Sequence, residues 1–232
     1  MNLLENTKLY LKNNINFINM FLKCIERSCN ILQLEIPSVY FIYQDKSNFF
    51  LFDQNLNYIS SDYRDVDQNI HFMKFIKKEY VIYVNCYAIK NPTLLIAKGY
   101  ELVRHMYQLK MISYFDNIDK NIKDGQTSEN NKDIRKLENS KRLQRVKLHI
   151  RSWKYCYENI NNKNNINGKS GKSNKNSKNT NNTNNYATLI QVDMMAFSHI
   201  MMKKYHHINI EYKIDNKEDL LKAIDFISNT IF

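Results

Sequence analysis

The stretch that decides the fold runs from Glu79 to Gln108 and reads EYVIYVNCYAIKNPTLLIAKGYELVRHMYQ. Residues 79–89 are rich in β-branched and aromatic side chains, which predicts a strand. Asn91-Pro92 follows and is typical of a turn and of the start of a helix. From Thr93 to Met111 the apolar spacing predicts one continuous helix. This stretch therefore predicts a strand that leads directly into a long helix.

The flanking segments extend this pattern in both directions. Apolar side chains recur at helical spacing in residues 1–34, which predicts one or two amphipathic helices. SVYFIYQ and NFFLFDQ read as two strands joined by a polar turn, and the polar residues after them read as a loop. Further helices are expected at 141–160, 186–208 and 217–231. The expected fold is α+β, with a small, mostly antiparallel sheet from residues 38–89 packed on the 93–112 helix and two or three further helices around it.

One segment differs in composition from the rest of the chain. Residues 117–185 carry 16 Lys and Arg against 6 Asp and Glu, a net charge of 16 − 6 = +10. The whole chain has a net charge of +11, so nearly all of it belongs to this segment. Within them, residues 161–185 are of low complexity and are expected to be disordered, because they have too little apolar surface to offset the entropy of ordering. The predicted organisation is one domain, in which 1–116 and 186–232 enclose a basic, Asn-rich insertion at 117–185.

The basic insertion has two interpretations. Clustered lysine and arginine attract phosphate polymers and anionic surfaces, so nucleic acid is one expected partner. Aromatic side chains are scarce over most of the segment, which favours the alternative that the charges only solvate it.

The four cysteines form no C-x-x-C pair and suggest no structural zinc site. The N-terminal residues lack the features of a secretory signal, and no apolar run reaches the ~18 residues of a membrane span. We therefore expect a reduced, cytoplasmic protein with buried thiols and without a membrane span.

The helix at 93–111 carries a pattern close to a catalytic zinc motif. In H-E-x-x-H, two histidines four residues apart bind zinc from one helix face, and the glutamate accepts a proton from the zinc-bound water. Here Glu101 and His105 have that spacing, but Leu102 stands at the position of the base. Shifting the register places Arg104 at a ligand position, and arginine stays protonated and cannot bind a metal.

Two motifs occur in a fixed order after the predicted strand that ends in YVN. RHMYQ occupies 104–108, and QVDMMAFSH occupies 191–199. Their order and their residues resemble the zincin-like metallopeptidases of the ImmA/IrrE type. The active helix of that family reads approximately A-H-E-L-R-H-x-W-Q, and a later helix reads approximately E-(I/V)-D-A-x-A-F-A.

The resemblance assigns positions to the residues of both motifs. It places Glu101 at the first ligand histidine, His105 at the second, and Gln191 at the glutamate that supplies the third ligand. Leu102 falls at the general base. Of the implied ligands only His105 matches, so the resemblance implies a degenerate site and a pseudoenzyme. Zinc is the cofactor of intact relatives, and for this chain we expect no cofactor.

Three further residues are interpreted as supporting the site or the core. Gln108 matches the glutamine that ends the first motif. Asp193 points away from Gln191 on its helix and is expected to hydrogen-bond a cap or a neighbouring helix. His199 lies two turns after Gln191 and is interpreted as a core residue, with a contact to His105 as the alternative.

Three functions remain open at this point. The favoured one is a zincin-like module without catalysis that binds an unidentified protein partner or serves a structural role. The second is an active metallopeptidase with atypical ligands. The third is a binder of nucleic acid or an anionic surface through the basic insertion.

Overall fold

The computed structural model describes residues 2–44, 48–60, 71–76, 79–123, 146–156, 183–212 and 217–231. It has an α+β architecture, as the sequence predicts. The helices are α1 (Leu3–Asn13), α2 (Ile15–Leu32), α3 (Pro92–Lys123), α4 (146–156), α5 (Thr183–His206) and α6 (Lys217–Ile231). The strands are β1 (Ser38–Gln44), β2 (Phe49–Phe52), β3 (Tyr58–Ser60), β4 (His71–Ile76) and β5 (Glu79–Asn85), and a 3₁₀ helix spans Cys86–Lys90.

The strands form one sheet in the order β3-β2-β1-β5-β4. The β1–β2, β2–β3 and β4–β5 pairs are antiparallel, whereas β1 and β5 run parallel, with Tyr40 opposite Tyr83. The predicted hairpin of β1 and β2 is confirmed. The sequence reading missed β4 and also β3, which lies in a segment interpreted as loop.

The central strands are buried on both faces. On one face Ile42, Leu51, Val81 and Tyr83 form an apolar cluster. On the other face, alternate residues of the same strands, such as Phe41 and Ile82, are also buried. Strands covered on both faces have nearly continuous apolar sequences, which explains why the sequence predicts strands at 38–44 and 79–89. The second prediction is too long, because the strand ends at Asn85 and a 3₁₀ helix follows.

Capping fixes where α3 begins. The side chain of Asn91 accepts a hydrogen bond from the backbone N–H of Leu94 at 3.1 Å, and Pro92 occupies the first helical position. Asparagine is a preferred cap, and proline suits the first turn because its missing N–H would have no partner there. The helix continues to Lys123, beyond the predicted end at Met111 and into the segment assigned to the insertion.

Only parts of the basic segment 117–185 belong to the described residues. Residues 124–145 and 157–182 lie outside them, and with these most of the stretch predicted to be disordered. Thr183 to Asn185 begin α5, although the prediction counted them as disordered. Extending a helix costs less than nucleating one, so the apolar turns that follow can carry an asparagine-rich first turn.

The chain divides into two compact units. The first comprises Met1–Arg104 and Met201–Ile210, and the second comprises His105–Ile200 and Glu211–Phe232. The sheet belongs to the first unit. The second unit has its own apolar cluster, formed by Ile150, Trp153 and Cys156 of α4 and Ile190 of α5, against which Tyr107, Met111, Ile112 and Phe115 of α3 pack.

Candidate functional site

Gln108 of the first motif and Asp193 of the second motif meet in the second unit. Gln108 of α3 donates a hydrogen bond from Nε2 to Oδ2 of Asp193 on α5, at 2.7 Å. The same amide nitrogen lies 3.4 Å from the carbonyl oxygen of Ile190. Gln108 is 0% exposed and Asp193 is 1% exposed, so this bond is shielded from water. A hydrogen bond to a buried carboxylate is stronger than one between neutral groups, and it fixes the two helices in register.

His105 extends this contact by one residue. Its Nδ1 lies 3.3 Å from Oε1 of Gln108. A carbonyl oxygen only accepts, so Nδ1 carries the proton in this arrangement, and in the neutral ring Nε2 holds the lone pair. His105, Gln108 and Asp193 therefore form a hydrogen-bonded chain from one motif to the other.

A residue outside both motifs completes the surroundings of Asp193. Nε2 of His149 on α4 lies 4.0 Å from Oδ1 of Asp193. The imidazole of His149 stacks on the ring of Phe226 with centroids 4.0 Å apart, and it meets Trp153 edge to face at 5.4 Å. These rings hold His149 in place beside the carboxylate.

The other predicted positions of the second unit are placed less favourably for a metal. Gln191 is exposed on α5, two residues from the buried Asp193. His199 is half-buried on the same helix. The amide of Gln191 is neutral and a poor zinc ligand beside a carboxylate.

The remaining positions of the zinc motif lie in the first unit. Glu101 is buried, and its Oε2 is 2.6 Å from Nζ of Lys98. The Glu101 carboxylate, which would have to bind the metal ion, is therefore already paired with the ammonium group of Lys98. Leu102 is buried as well and offers only hydrocarbon at the position of the base.

These donors do not fit a zinc site. Catalytic zinc requires three strong nitrogen, sulfur or carboxylate ligands, whereas this set has one imidazole, a carboxylate engaged by lysine and an exposed amide. Among the described residues, no three His, Cys, Asp or Glu side chains come together as a metal-binding group.

A second polar cluster lies in the first unit, and the sequence reading assigned it no role beyond a helix end. Nε2 of His206 is 2.9 Å from the hydroxyl of Tyr100 and 3.5 Å from Sγ of Cys24. The guanidinium of Arg27 stands over the ring of Tyr205, 4.3 Å from its centroid. Burial lowers the pKa of His206, and the charges of Arg27 and His207 lower it further.

The thiol of this cluster is not activated. Burial raises the pKa of Cys24, against smaller opposing effects of the Tyr100 hydroxyl and the Arg27 charge. Burial is also the main reason for the raised pKa of Tyr100. A reactive cysteine needs a lowered pKa, so we interpret these groups as structural.

Sequence reasoning did not find His149, Tyr100 or His206 as members of these clusters. The only available signal was the identity of single polar residues among apolar neighbours. Such a residue can equally face solvent, and only the packing of separate helices decides between these outcomes.

Comparison with known proteins does not extend these assignments. No protein-family model, no curated protein and no solved structure matches this chain.

Proposed function

We propose that this chain is a zincin-like module without a working hydrolytic centre, and that it acts by binding a protein partner. The observation that carries the proposal is the hydrogen bond of Gln108 with Asp193. These residues belong to the two motifs that resemble the ImmA/IrrE family, and 85 positions separate them in the chain. A chance match of two unrelated segments gives no reason for their polar side chains to meet in a buried contact.

The loss of catalysis follows from the residues at the active positions. Leu102 cannot accept a proton, and losing a general base alone typically reduces the rate ~10²- to 10⁴-fold. Glu101 is paired with Lys98, and Gln191 is an exposed amide. Of the groups that intact relatives use, His105 alone keeps its type.

An exposed face of α4 supports the protein-binding part of the proposal. Leu148 is 63% exposed and Tyr155 is 51% exposed. They are seven residues apart and therefore lie on the same side of the helix. Two large apolar side chains exposed on one side of a helix are a surface that a protein partner can cover.

Restoring the ligand set tests the zincin-like framework. The resemblance implies that the double variant Glu101→His with Gln191→Glu regains three zinc ligands. We expect the purified variant to hold about one zinc per chain by elemental analysis, and this zinc to disappear when His105→Ala is added. The parent chain is expected to hold none. Adding Leu102→Glu restores the base and is expected to give zinc-dependent peptidase activity, which the double variant lacks.

Three outcomes would contradict the proposal. Stoichiometric zinc in the parent, lost in His105→Ala, would favour an active metallopeptidase with atypical ligands. A folded double variant without zinc would remove the zincin-like framework, with circular dichroism showing that the variant is folded. If affinity capture gives the same proteins with Leu148→Glu/Tyr155→Glu as with the parent, the assigned partner face is wrong.

Binding to a polyanion is the second candidate. Lys147, Arg151 and Lys154 lie on one side of α4 and line a common surface depression, although Asp116 pairs with Lys154. The candidate predicts affinity for duplex DNA of random sequence that falls steeply with salt. Replacing Lys147 and Arg151 by glutamine should reduce this affinity, whereas the same change at the exposed Lys12 of α1 should not.

A further inference from the structure

A cavity of about 230 Å³ lies in the first unit, apart from every residue of the two motifs. Its lining comes from α1, from the end of β1 and from the 3₁₀ helix that follows β5. Since β1 and β5 run parallel, Tyr43 near the end of β1 and Cys86 directly after β5 lie at the same edge of the sheet. In open sheets the carboxyl ends of parallel strands are where ligands commonly bind.

The walls of this cavity are aromatic. Tyr10, Tyr43 and Tyr87 all line it, and the rings of Tyr43 and Tyr87 are 5.6 Å apart at their centroids. Such rings offer flat apolar surface with a hydroxyl at the edge. Among the described residues, the hydroxyls of Tyr10 and Tyr87 have no hydrogen-bond partner, so both can bond a ligand.

The floor of the cavity is uncharged. Thr7 and Cys86 are buried there, and the hydroxyl of Thr7 donates to the carbonyl oxygen of Leu3 at 2.9 Å. Burial raises the pKa of Cys86 to about 12, so its thiol stays neutral at physiological pH. The deep end therefore suits an apolar group rather than a charged one.

The rim carries one positive charge. Lys90 is exposed, and its Nζ stands 5.2 Å from the centroid of the Tyr87 ring. No carboxylate within the described ranges pairs with it. An ammonium group above an aromatic wall attracts an anion to the mouth of the cavity while the apolar part of the ligand enters.

We propose that this cavity binds a small aromatic carboxylate, with its ring packed against the tyrosine side chains and its carboxylate at Lys90. The volume supports a ligand of this size, because a cavity of ~150 Å³ accommodates benzene. A volume of about 230 Å³ adds space for a short side chain but not for a large cofactor.

Calorimetric titration with three matched compounds tests this site. They are 3-phenylpropionate, 3-phenylpropanol and 3-phenylpropylamine, which share a ring and a chain and differ in charge. We expect the carboxylate to bind about three- to tenfold more tightly than the alcohol, and the amine most weakly. Lys90→Gln should abolish this preference, Lys12→Gln on α1 should keep it, and Tyr87→Ala should weaken all three compounds.

Several results would overturn the proposal. One is equal affinity for the carboxylate and the alcohol, and another is an unchanged preference in Lys90→Gln. A third is no heat and no ligand-detected NMR contact for 3-phenylpropionate at millimolar concentrations. Binding of a peptide that ends in phenylalanine, without binding of 3-phenylpropionate, would assign the cavity to a protein partner instead.

Discussion

The contact between Gln108 and Asp193 makes the sharpest prediction, because the proposed framework depends on it. Asp193→Ala removes a hydrogen bond to a buried carboxylate, which is worth ~1.5–3 kcal/mol. The amide nitrogen of Gln108, itself fully buried, then keeps only the 3.4 Å contact with the carbonyl oxygen of Ile190 among the described residues, while Oε1 keeps its contact with His105. A buried donor left poorly satisfied adds to the loss, so we expect the free energy of unfolding to fall by about 2–4 kcal/mol.

Two further variants separate the hydrogen bond from general damage. Asp193→Asn keeps an acceptor but loses the charge, so its cost should be about half as large. Gln108→Ala and Asp193→Ala remove the same interaction, so their combined cost should be at least ~1 kcal/mol smaller than the sum of the single costs. Asp225→Ala is the matched control, since Asp225 is exposed and bonds only Asn229 of its own helix among the described residues.

Urea unfolding followed by the fluorescence of Trp153 measures these differences. Trp153 is the only tryptophan of the chain, and its ring contacts Tyr107 and His149. The signal therefore reports on the unit that contains the contact. If Asp193→Ala costs no more than Asp225→Ala, or if the two alanine variants are additive, the contact does not join the helices as we describe.

Three other predictions concern the first unit and the thiols. Gly99→Ala should lower the free energy of unfolding by about 1–2 kcal/mol although alanine has the better helix propensity, because the new Cβ would lie 2.8 Å from Cε2 of the buried Phe21. Circular dichroism during urea unfolding checks this, and a stabilised variant would contradict it. The pKa of His206 in the folded protein lies below its ordinary value of 6.5, so the unfolded chain binds more protons. The contribution of neutral His206 to the free energy of unfolding should therefore be fully present above pH 6.5 and fall as the pH drops through the folded pKa. A His206→Gln variant with the same pH dependence would assign the loss to other groups. All four thiols are buried, and burial raises the pKa of Cys29 to about 12, so Ellman's reagent should react slowly with the native protein and with four thiols after unfolding; a fast native thiol would refute this.

Local pattern was enough to locate most elements of this chain. β1 and α6 begin and end where the apolar pattern predicts. The strand predicted at 79–89 begins at Glu79 as expected but ends at Asn85, and a 3₁₀ helix takes its last residues. These elements are recognisable because a buried strand or an amphipathic helix needs apolar residues at a regular interval. The end of α3 was misjudged because polar residues after Met111 weaken that signal, although the backbone continues to Lys123.

The pairing of strands was not accessible in the same way. β1 and β5 are neighbours although about 40 residues separate their partners, and their parallel direction depends on how the intervening strands return. β4 pairs with β5 through backbone hydrogen bonds, which are independent of side-chain type. Such choices depend on the whole sheet rather than on one segment.

The sequence by itself determined which residue types stand at the positions of the candidate site. Leucine at 102 and glutamine at 191 lack the chemistry of a base and of a strong zinc ligand, and this holds in any fold. Only the tertiary structure decided that Gln108 meets Asp193 and that His149 packs beside the carboxylate of Asp193. Such contacts join residues whose approach depends on helix packing and side-chain conformation, which spacing along the chain does not specify.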